Sequence, residues 1–258
     1  MHLDIVELRS FYARPLGAMV RRLLGQSIRQ RWTPVAGSTL IGLGFATPYL
    51  GFYRNETLRL GALMSAHQGA LVWPGSGAVH TVIVEEESLP LPDACVDRVL
   101  AVHCLDMAER PRPLLREIWR VLRPEGRLLV VVPNRRGVWP LLDTTPFGHG
   151  RPFSRGQLER LLGEALFTPL QWDTALFMPP LDNRFIVRWA RAWERIGSRL
   201  WPAFGGVILV EAQKELMAPI AKPARARALP ELVTVRGGAY SRHEEPTVFS
   251  ALSETPYG

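Results

Sequence analysis

Three groups of residues in this chain have the chemistry and the spacing of a ligand-binding site. Gly42 and Gly44 follow one predicted strand, Glu85 and Glu86 follow another, and His103 stands at the end of a third. A glycine-rich turn lets the backbone approach a bound molecule closely. Carboxylates accept hydrogen bonds, and a histidine can remove a proton from a reacting group. Because the carboxyl ends of adjacent strands meet at one edge of a sheet, these groups are expected at a common site.

The elements that would position these residues are clearest in the middle of the chain. Val96–His103 is apolar beyond Arg98, as expected of a parallel strand that is covered on both faces. Apolar residues then recur at helical spacing over residues 114–122, and Arg123–Gly126 ends that predicted helix. Arg127–Val132 is a second buried strand. Together the strand, the crossover helix and the second strand predict one right-handed unit of an α/β sheet.

The same stretch resembles the second half of the class I S-adenosylmethionine-dependent methyltransferase domain, of the kind that acts on small molecules. In that family an acidic loop ending in Leu-Pro-Phe precedes a strand beginning Phe-Asp-Arg-Val. A helix ending Glu-Xaa-Xaa-Arg-Val-Leu-Lys-Pro-Gly-Gly follows that strand. The matching residues here are Leu89–Leu91, Val96–Val99 and Glu117–Gly126. The resemblance implies a Rossmann-like, doubly wound α/β sheet in three layers (αβα), mostly parallel with a reversed last strand.

The resemblance also implies S-adenosylmethionine as cofactor and methyl transfer to a small or lipophilic acceptor as the activity. The glycine-rich loop of the family, usually Asp-Xaa-Gly-Xaa-Gly-Xaa-Gly, matches residues 40–46. Gly42 and Gly44 are kept, whereas Leu40 replaces the acidic residue and Ala46 replaces the third glycine. Ala46, the third position of this cofactor-binding loop, adds only one methyl group of bulk, but an alanine cannot adopt a positive φ angle without strain.

The acidic positions of the family are only partly kept. Residues 60–64 (Leu-Gly-Ala-Leu-Met) stand where a carboxylate should hold the ribose hydroxyls. Glu85 and Glu86 match the acidic residues after the third strand, with Glu85 on the adenine side; a solvated acidic loop is the alternative. His103 completes the predicted cofactor-binding set, either as a general base or as a structural histidine beneath the loop. The sequence leaves the catalytic residues unassigned.

The missing carboxylate leaves a second function open. A charge-assisted hydrogen bond contributes roughly 1.5–3 kcal/mol, so its loss weakens binding about tenfold to a hundredfold. The alternative is a catalytically inactive binding or scaffold protein that keeps the methyltransferase fold and could be peripheral to a membrane. A site that no longer binds its cofactor can lose its charged residues without a loss of function.

Composition limits the remaining possibilities. A chain of 258 residues with 47% hydrophobic content can bury a full core. No apolar run reaches the roughly 18–20 residues of a membrane span, and the first residues lack the order of a signal peptide. The two cysteines, Cys95 and Cys104, form neither a disulfide framework nor a zinc site. We therefore expect no metal and a cytoplasmic location.

The net charge of +7 comes mainly from arginine, which is concentrated in residues 21–31, 184–199 and 222–227. Such an excess favours anionic partners, although arginine use in GC-rich proteomes gives the same balance. Nucleic acid is disfavoured because no Asn-Pro-Pro-Tyr type signature of base methylation occurs.

A predicted helix over residues 183–201 carries an apolar stripe beside its arginines. The sequence favours packing of this stripe on the sheet, and peripheral contact with an anionic membrane is the alternative. The stripe consists of Phe185, Trp189, Trp193, Ile196 and Leu200.

The chain divides into three predicted segments. Residues 1–35 form a helical cover that is interrupted at Pro15, residues 36–217 form the methyltransferase-like domain, and residues 218–258 form a basic tail that we expect to be disordered.

Other polar residues near the predicted strand ends are given structural roles. Asp106 and Glu109 are assigned to the N-terminus of the following helix. Asn134 is expected to cap a turn, with a place in the pocket lining as the alternative, and His149 is expected to be solvated in a glycine-rich loop.

Overall fold

The structure, a computed structural model, describes residues 3–215, so the predicted tail lies outside the described residues. The chain begins with helix α1 (Ile5–Ala13), whose first turn is capped by the Asp4 side chain, and continues with α2 (Pro15–Arg31). Arg14 between them is extended, with φ −77° and ψ 159°, the conformation that a following proline favours. The predicted interruption at Pro15 is confirmed.

Seven strands form a single sheet in the order β3-β2-β1-β4-β5-β7-β6. Neighbouring strands are parallel except at β7, which is antiparallel to both β5 and β6. The predicted fold class, a mostly parallel doubly wound sheet with a reversed last strand, is confirmed. The strands are β1 (Thr39–Gly44), β2 (Arg59–Ser65), β3 (Thr81–Val84), β4 (Val96–Val102), β5 (Leu122–Pro133), β6 (Phe167–Ala175) and β7 (Val207–Lys214).

Helices cover both faces of this sheet. The remaining helices are α3 (Thr47–Leu50), α4 (Pro111–Val121), α5 (Pro146–His149), α6 (Arg155–Glu164), α7 (Arg184–Arg188) and α8 (Ala190–Leu200). Successive strand residues alternate between two cores, as strand geometry requires. Leu100 and Val102 pack in the core that includes α1 and α2, whereas Val99 and Ala101 pack in the core that includes α4 and α6. The result is the predicted three-layer arrangement.

The turn expected at Arg123–Gly126 lies inside the bounds of β5. Leu122 already pairs with Val96 of β4, and the register then shifts before Arg98. Glu125 has a positive φ of 61° within this irregularity. The helix therefore passes into the strand through a bulged segment.

The predicted basic helix differs from the observed one in two ways. It is divided into α7 and α8 at Trp189, whose φ of −95° and ψ of 8° depart from helical values. Its apolar stripe does not pack on the sheet as the sequence favoured. Trp193 is half-buried against the core, but the other four members of the stripe, Phe185, Trp189, Ile196 and Leu200, are exposed. Within residues 3–215, no helix combines the length and apolarity needed to cross a bilayer.

Candidate functional site

The direction of sheet growth reverses between β1 and β4. From β1 the chain adds β2 and β3 on one side, and it then returns to place β4 and β5 on the other. In such sheets ligands bind outside the carboxyl ends of the strands at the reversal point. Gly44 and His103 both lie there, and the Phe45 N–H donates to the Val102 carbonyl at 2.9 Å. The two loops that the sequence singled out are thus neighbours.

The loop after β1 needs glycine at two positions. Gly44 has a φ of +68°, and a Cβ atom added there would lie 2.7 Å from the Val102 carbonyl oxygen. A Cβ atom at Gly42 would lie 2.6 Å from Leu50 Cδ1 and 2.8 Å from Ala46 Cβ. Both glycines are therefore required by the packing of the loop against the protein itself.

The altered positions of the loop are accommodated without strain. Ala46 has φ −85° and ψ −10°, an ordinary right-handed conformation, so the expected difficulty with a positive φ does not arise. Pro48 lies in the first turn of α3, where a missing backbone N–H is tolerated. Leu40, at the position where an acidic residue was expected, and Met64, within the stretch 60–64 where the ribose carboxylate was expected, are fully buried in the same apolar core.

Helix α1 covers this loop. All residues from Ile41 to Thr47 are buried. The Tyr12 ring lies 5.5 Å from the Phe45 ring, and the Ile5 N–H donates to the Gln68 carbonyl after β2 at 2.9 Å. In this conformation the glycine-rich loop is inaccessible to a ligand as large as a nucleoside, so such a ligand requires α1 to move.

His103 is held from both sides. Its Nε2 shares a hydrogen bond of 2.9 Å with the Tyr12 hydroxyl, which lies 3.0 Å from the Tyr49 hydroxyl. Its ring packs 4.7 Å from the Phe147 ring, and the residue has a positive φ of 48°. Burial lowers the pKa of His103 to about 3, so its ring is neutral at physiological pH. Burial also raises the pKa values of Tyr12 and Tyr49.

Asp106 does not have the role that the sequence suggested. Helix α4 begins only at Pro111, and the Asp106 side chain is buried, with one oxygen 4.0 Å from His103 Nδ1. Neither carboxyl oxygen accepts a hydrogen bond of standard geometry from the described residues. Burial raises the pKa of Asp106 to about 7 and the charge of Glu86 adds to the increase, whereas the nearby backbone N–H groups of Asp106 and Cys104 oppose it.

Other buried polar atoms in the loops of this region also lack partners. Gln68 donates through Nε2 to the His103 carbonyl at 2.8 Å, while its Oε1 has no partner among the described residues. The same holds for Ser65 Oγ at the end of β2, for Thr145 Oγ1 and for His103 Nδ1. Leaving such an atom unsatisfied costs roughly 1–3 kcal/mol, so several together mark a functional site. Sequence analysis made no prediction for Ser65, the last residue of β2, or for Gln68 just beyond it, although both lie at a strand end.

The three glutamates of the acidic loop after β3 differ in their exposure and in their contacts. Glu85 is exposed, Glu86 is half-buried, and Glu87 is paired with Arg110. Glu86 is the residue whose charge acts on Cys104 and Asp106. Of the two predicted carboxylates, Glu86 is therefore the one whose charge acts on residues at the reversal point between β1 and β4, which we call the switch point.

A cleft of about 370 Å³ lies on the outer side of α1. It is lined by Val6 and Phe11 of α1 and by Thr145 and His149 of the facing segment.

His149 is half-buried, with Nδ1 3.1 Å from the Thr145 carbonyl oxygen, so the expectation of a solvated side chain is wrong. Asn134 caps its turn as predicted, because its Oδ1 accepts from the Arg136 N–H at 3.2 Å.

Comparison with known proteins agrees with this architecture. Residues 61–130 match the sequence profile of a family described as "Methyltransferase domain". A crystal structure of an S-adenosylmethionine-dependent methyltransferase from Archaeoglobus fulgidus has a TM-score of 0.55 at 16% identity, covering 75% of this chain and 94% of that one. The chain therefore has the fold of class I S-adenosylmethionine-dependent methyltransferases, and its residues 61–130 match a methyltransferase domain.

Curated relatives carry the same designation. A probable S-adenosylmethionine-dependent methyltransferase of Mycolicibacterium smegmatis is 41% identical over 81 residues, which are 31% of this chain and 31% of the relative. One from Mycobacterium tuberculosis strain H37Rv is 41% identical over 81 residues, 31% of this chain and 29% of the relative. The aligned part of this chain thus spans about a third of the length of these relatives.

Likeness of fold extends to a protein named for a different reaction. The [4+2]-cyclase SpnF has a TM-score of 0.52 at 22% identity, covering 76% of this chain and 81% of its own. At this identity the likeness concerns the fold, and a fold alone does not define a reaction.

Proposed function

We propose that this chain binds S-adenosylmethionine at the carboxyl ends of β1 and β4 and transfers its methyl group to a small or lipophilic acceptor. The observation that carries this proposal is the presence of buried, unpartnered polar atoms in the loops at the switch point, among them both carboxyl oxygens of Asp106. A chain under selection for stability alone would replace such atoms with apolar ones. Their retention at the usual ligand position of this fold supports a binding role.

The residues present fit the polar parts of this cofactor. Ser65 and Gln68 stand at and just beyond the end of β2, near the position of the missing ribose carboxylate, and each has a free oxygen acceptor for hydroxyl groups. Asp106 and Glu86 supply negative charge for an ammonium group. These neutral and acidic acceptors would compensate for Leu40 and Met64.

The chemistry of the methyl donor determines what the protein must contribute to methyl transfer. S-adenosylmethionine supplies an electrophilic methyl group on a sulfonium, so the protein contributes chiefly proximity and orientation. His103 is too weakly basic to remove a proton at neutral pH and instead positions the loop through Tyr12 and Gln68. The cleft beside α1, with its mixed polar and apolar lining, would admit the acceptor.

Calorimetric titration of the full chain with S-adenosylhomocysteine tests the proposal. We expect saturable binding that Glu86→Gln weakens about tenfold, since a hydrogen bond to a charged group contributes roughly 1.5–3 kcal/mol. Glu87→Gln is the matched control, because Glu87 is paired with Arg110, and it should leave the affinity unchanged. Absence of binding up to millimolar ligand would contradict the proposal.

A second candidate function is a protein that keeps the fold without the cofactor. The observation in its favour is the sealed loop, which has no exposed residue between Ile41 and Thr47. On our proposal the N-terminal segment, residues 1–35, is instead a movable cover. The two readings differ in what happens when the contact between α1 and the loop is weakened.

Tyr12→Phe makes this distinction. Removal of the hydroxyl leaves His103 Nε2 and the Tyr49 hydroxyl without their partner, so we expect the free energy of unfolding to fall by about 1–2 kcal/mol. If α1 must open for binding, the weaker closure should also increase the apparent affinity for S-adenosylhomocysteine severalfold. Tyr53→Phe is the control, because the buried Tyr53 hydroxyl has no partner among the described residues. Lower stability without a gain in affinity would favour the cofactor-free function.

A further inference from the structure

Helices α7 and α8 present bulky apolar side chains to solvent. The exposed fractions are 74% for Phe185, 61% for Trp189, 47% for Ile196 and 69% for Leu200. Ile196 and Leu200 are four residues apart and lie on one face of α8, and Trp189 is the residue that joins α7 to α8. Isolated exposed apolar residues are ordinary in soluble proteins, but a row of them on one helix marks an interaction surface.

A different face of α8 holds the helix on the protein. Ala190 and Gly197 are buried, and a Cβ atom at Gly197 would lie 2.4 Å from Phe177 Cβ. The Glu194 carboxylate accepts hydrogen bonds from the backbone N–H groups of Leu176 and Phe177 at 3.1 and 2.6 Å. Close packing through small residues and this anchor fix the helix, so its apolar row is not needed for attachment.

Arginines line the side of α8 next to the apolar row. Arg191, Arg195 and Arg199 recur every four residues and are all exposed. Within residues 3–215, none of the three lies within 4.0 Å of a carboxylate, although seven other arginines do. Their charge is therefore available to an external anion.

We propose that α7 and α8 form a docking surface for an anionic phospholipid membrane. Tryptophan, isoleucine and leucine side chains enter the boundary between headgroups and acyl chains, while arginines reach the lipid phosphates. A second copy of the chain fits less well, because a two-fold contact would bring like-charged arginine rows together. A nucleic acid would pair with the arginines but leave the apolar row hydrated.

Helix α7 shares the lining of a series of clefts that leads towards α1. Val187 and Arg188 of α7 line a cleft with Asp182 and Pro15. Asp182 also lines the next cleft together with Phe11 and Arg14, and both of these residues line the cleft of about 370 Å³ beside α1. This route would bring a lipophilic acceptor from the membrane to the candidate site. The route rests on the proposed function, whereas the docking itself does not.

Flotation of the full chain with phospholipid vesicles tests the docking. We expect binding to phosphatidylcholine vesicles that contain phosphatidylglycerol, little binding to phosphatidylcholine alone, and weaker binding as the salt concentration rises. The double variant Arg191→Gln, Arg195→Gln should bind about 25-fold more weakly, since each arginine near an anionic surface contributes about fivefold. The exposed pair Arg116→Gln, Arg160→Gln on α4 and α6 has the same change of charge and should bind nearly as the unaltered chain does.

A second pair of variants tests the apolar row. Leu200→Asp should weaken vesicle binding tenfold or more, whereas Leu58→Asp, at an equally exposed position (69%) in the loop before β2, should not. Equal vesicle binding by the helix variants and their controls would overturn the proposal, because binding would then come from another part of the chain. A concentration-dependent dimer that Leu200→Asp dissociates would also overturn it. All four variants should keep their affinity for S-adenosylhomocysteine, so failure of docking and failure of the proposed function give different results.

Discussion

Replacement of Gly44 by alanine is expected to lower the free energy of unfolding by about 2–5 kcal/mol. The φ of +68° is unfavourable for any residue with a Cβ atom by roughly 1–2 kcal/mol. The new Cβ atom would also lie 2.7–2.8 Å from Val102 and His103 carbonyl oxygens and from Cys104 Cβ. Two of these three atoms belong to the backbone of the central strand and its loop, which cannot move without disturbing the sheet, so overpacking adds roughly 1–3 kcal/mol. Urea denaturation followed by circular dichroism measures the change.

Gly51→Ala is the matched control for this experiment. Gly51 has a φ of −54°, and a Cβ atom there would meet no atom within 4 Å. At such a position alanine is neutral or stabilises by about 0.4–1 kcal/mol, because it restricts the unfolded chain. Equal stability of the Gly44→Ala and unaltered proteins would contradict the geometry of this loop. A large loss would mean that substitutions at Gly44 report on folding and are unsuitable for testing cofactor binding.

Much of the fold could be predicted because its signals are local. The apolar strand β4, the helical spacing of α4 and the proline between α1 and α2 each have consequences within a few residues. The faces of α8 could not be predicted in this way. Periodicity shows that Ile196 and Leu200 share a face, but it does not show which face meets the sheet. That choice depended on Gly197, whose lack of a side chain lets the helix approach Phe177 closely.

The candidate site was predictable where it depends on position along a strand. Gly44 and His103 follow their strands directly, and the structure places both at the switch point. Tyr12 was missed because its hydrogen bond with His103 joins residues 91 positions apart. Asp106 was assigned to a helix terminus because the sequence does not reveal that α4 starts only at Pro111. Long-range contacts and helix boundaries are thus what the sequence left undetermined.

The two titratable groups at the centre of the site should act on stability in opposite directions. The pKa of His103 is lowered by burial to about 3, so the unfolded chain binds the extra proton, and His103 makes stability rise between about pH 3 and 6.5. The pKa of Asp106 is raised by burial to about 7 from 3.8, so the folded chain keeps the proton longer, and Asp106 makes stability fall between about pH 4 and 7. The two effects offset each other over most of this range.

Asp106→Asn should separate these contributions. The asparagine cannot ionise, so the variant should gain stability relative to the unaltered chain as pH rises from about 4 to 7, by up to about 1.4 kcal/mol per pH unit. At pH 8 the gain should be on the order of 1–4 kcal/mol, measured by urea denaturation across the pH series. Glu159→Gln on the exposed side of α6 is the control, because an exposed carboxylate is not desolvated on folding.

The same variant separates a functional from a structural role for Asp106. If this carboxylate holds the ammonium group of the cofactor, Asp106→Asn should be more stable at pH 8 and yet bind S-adenosylhomocysteine at least tenfold more weakly. A residue kept for structure alone would not combine these two effects, because its removal would lower stability. Unchanged affinity together with the gain in stability would remove Asp106 from the binding site. A loss of stability at pH 8 would show instead that the buried carboxylate has a partner that supports the fold.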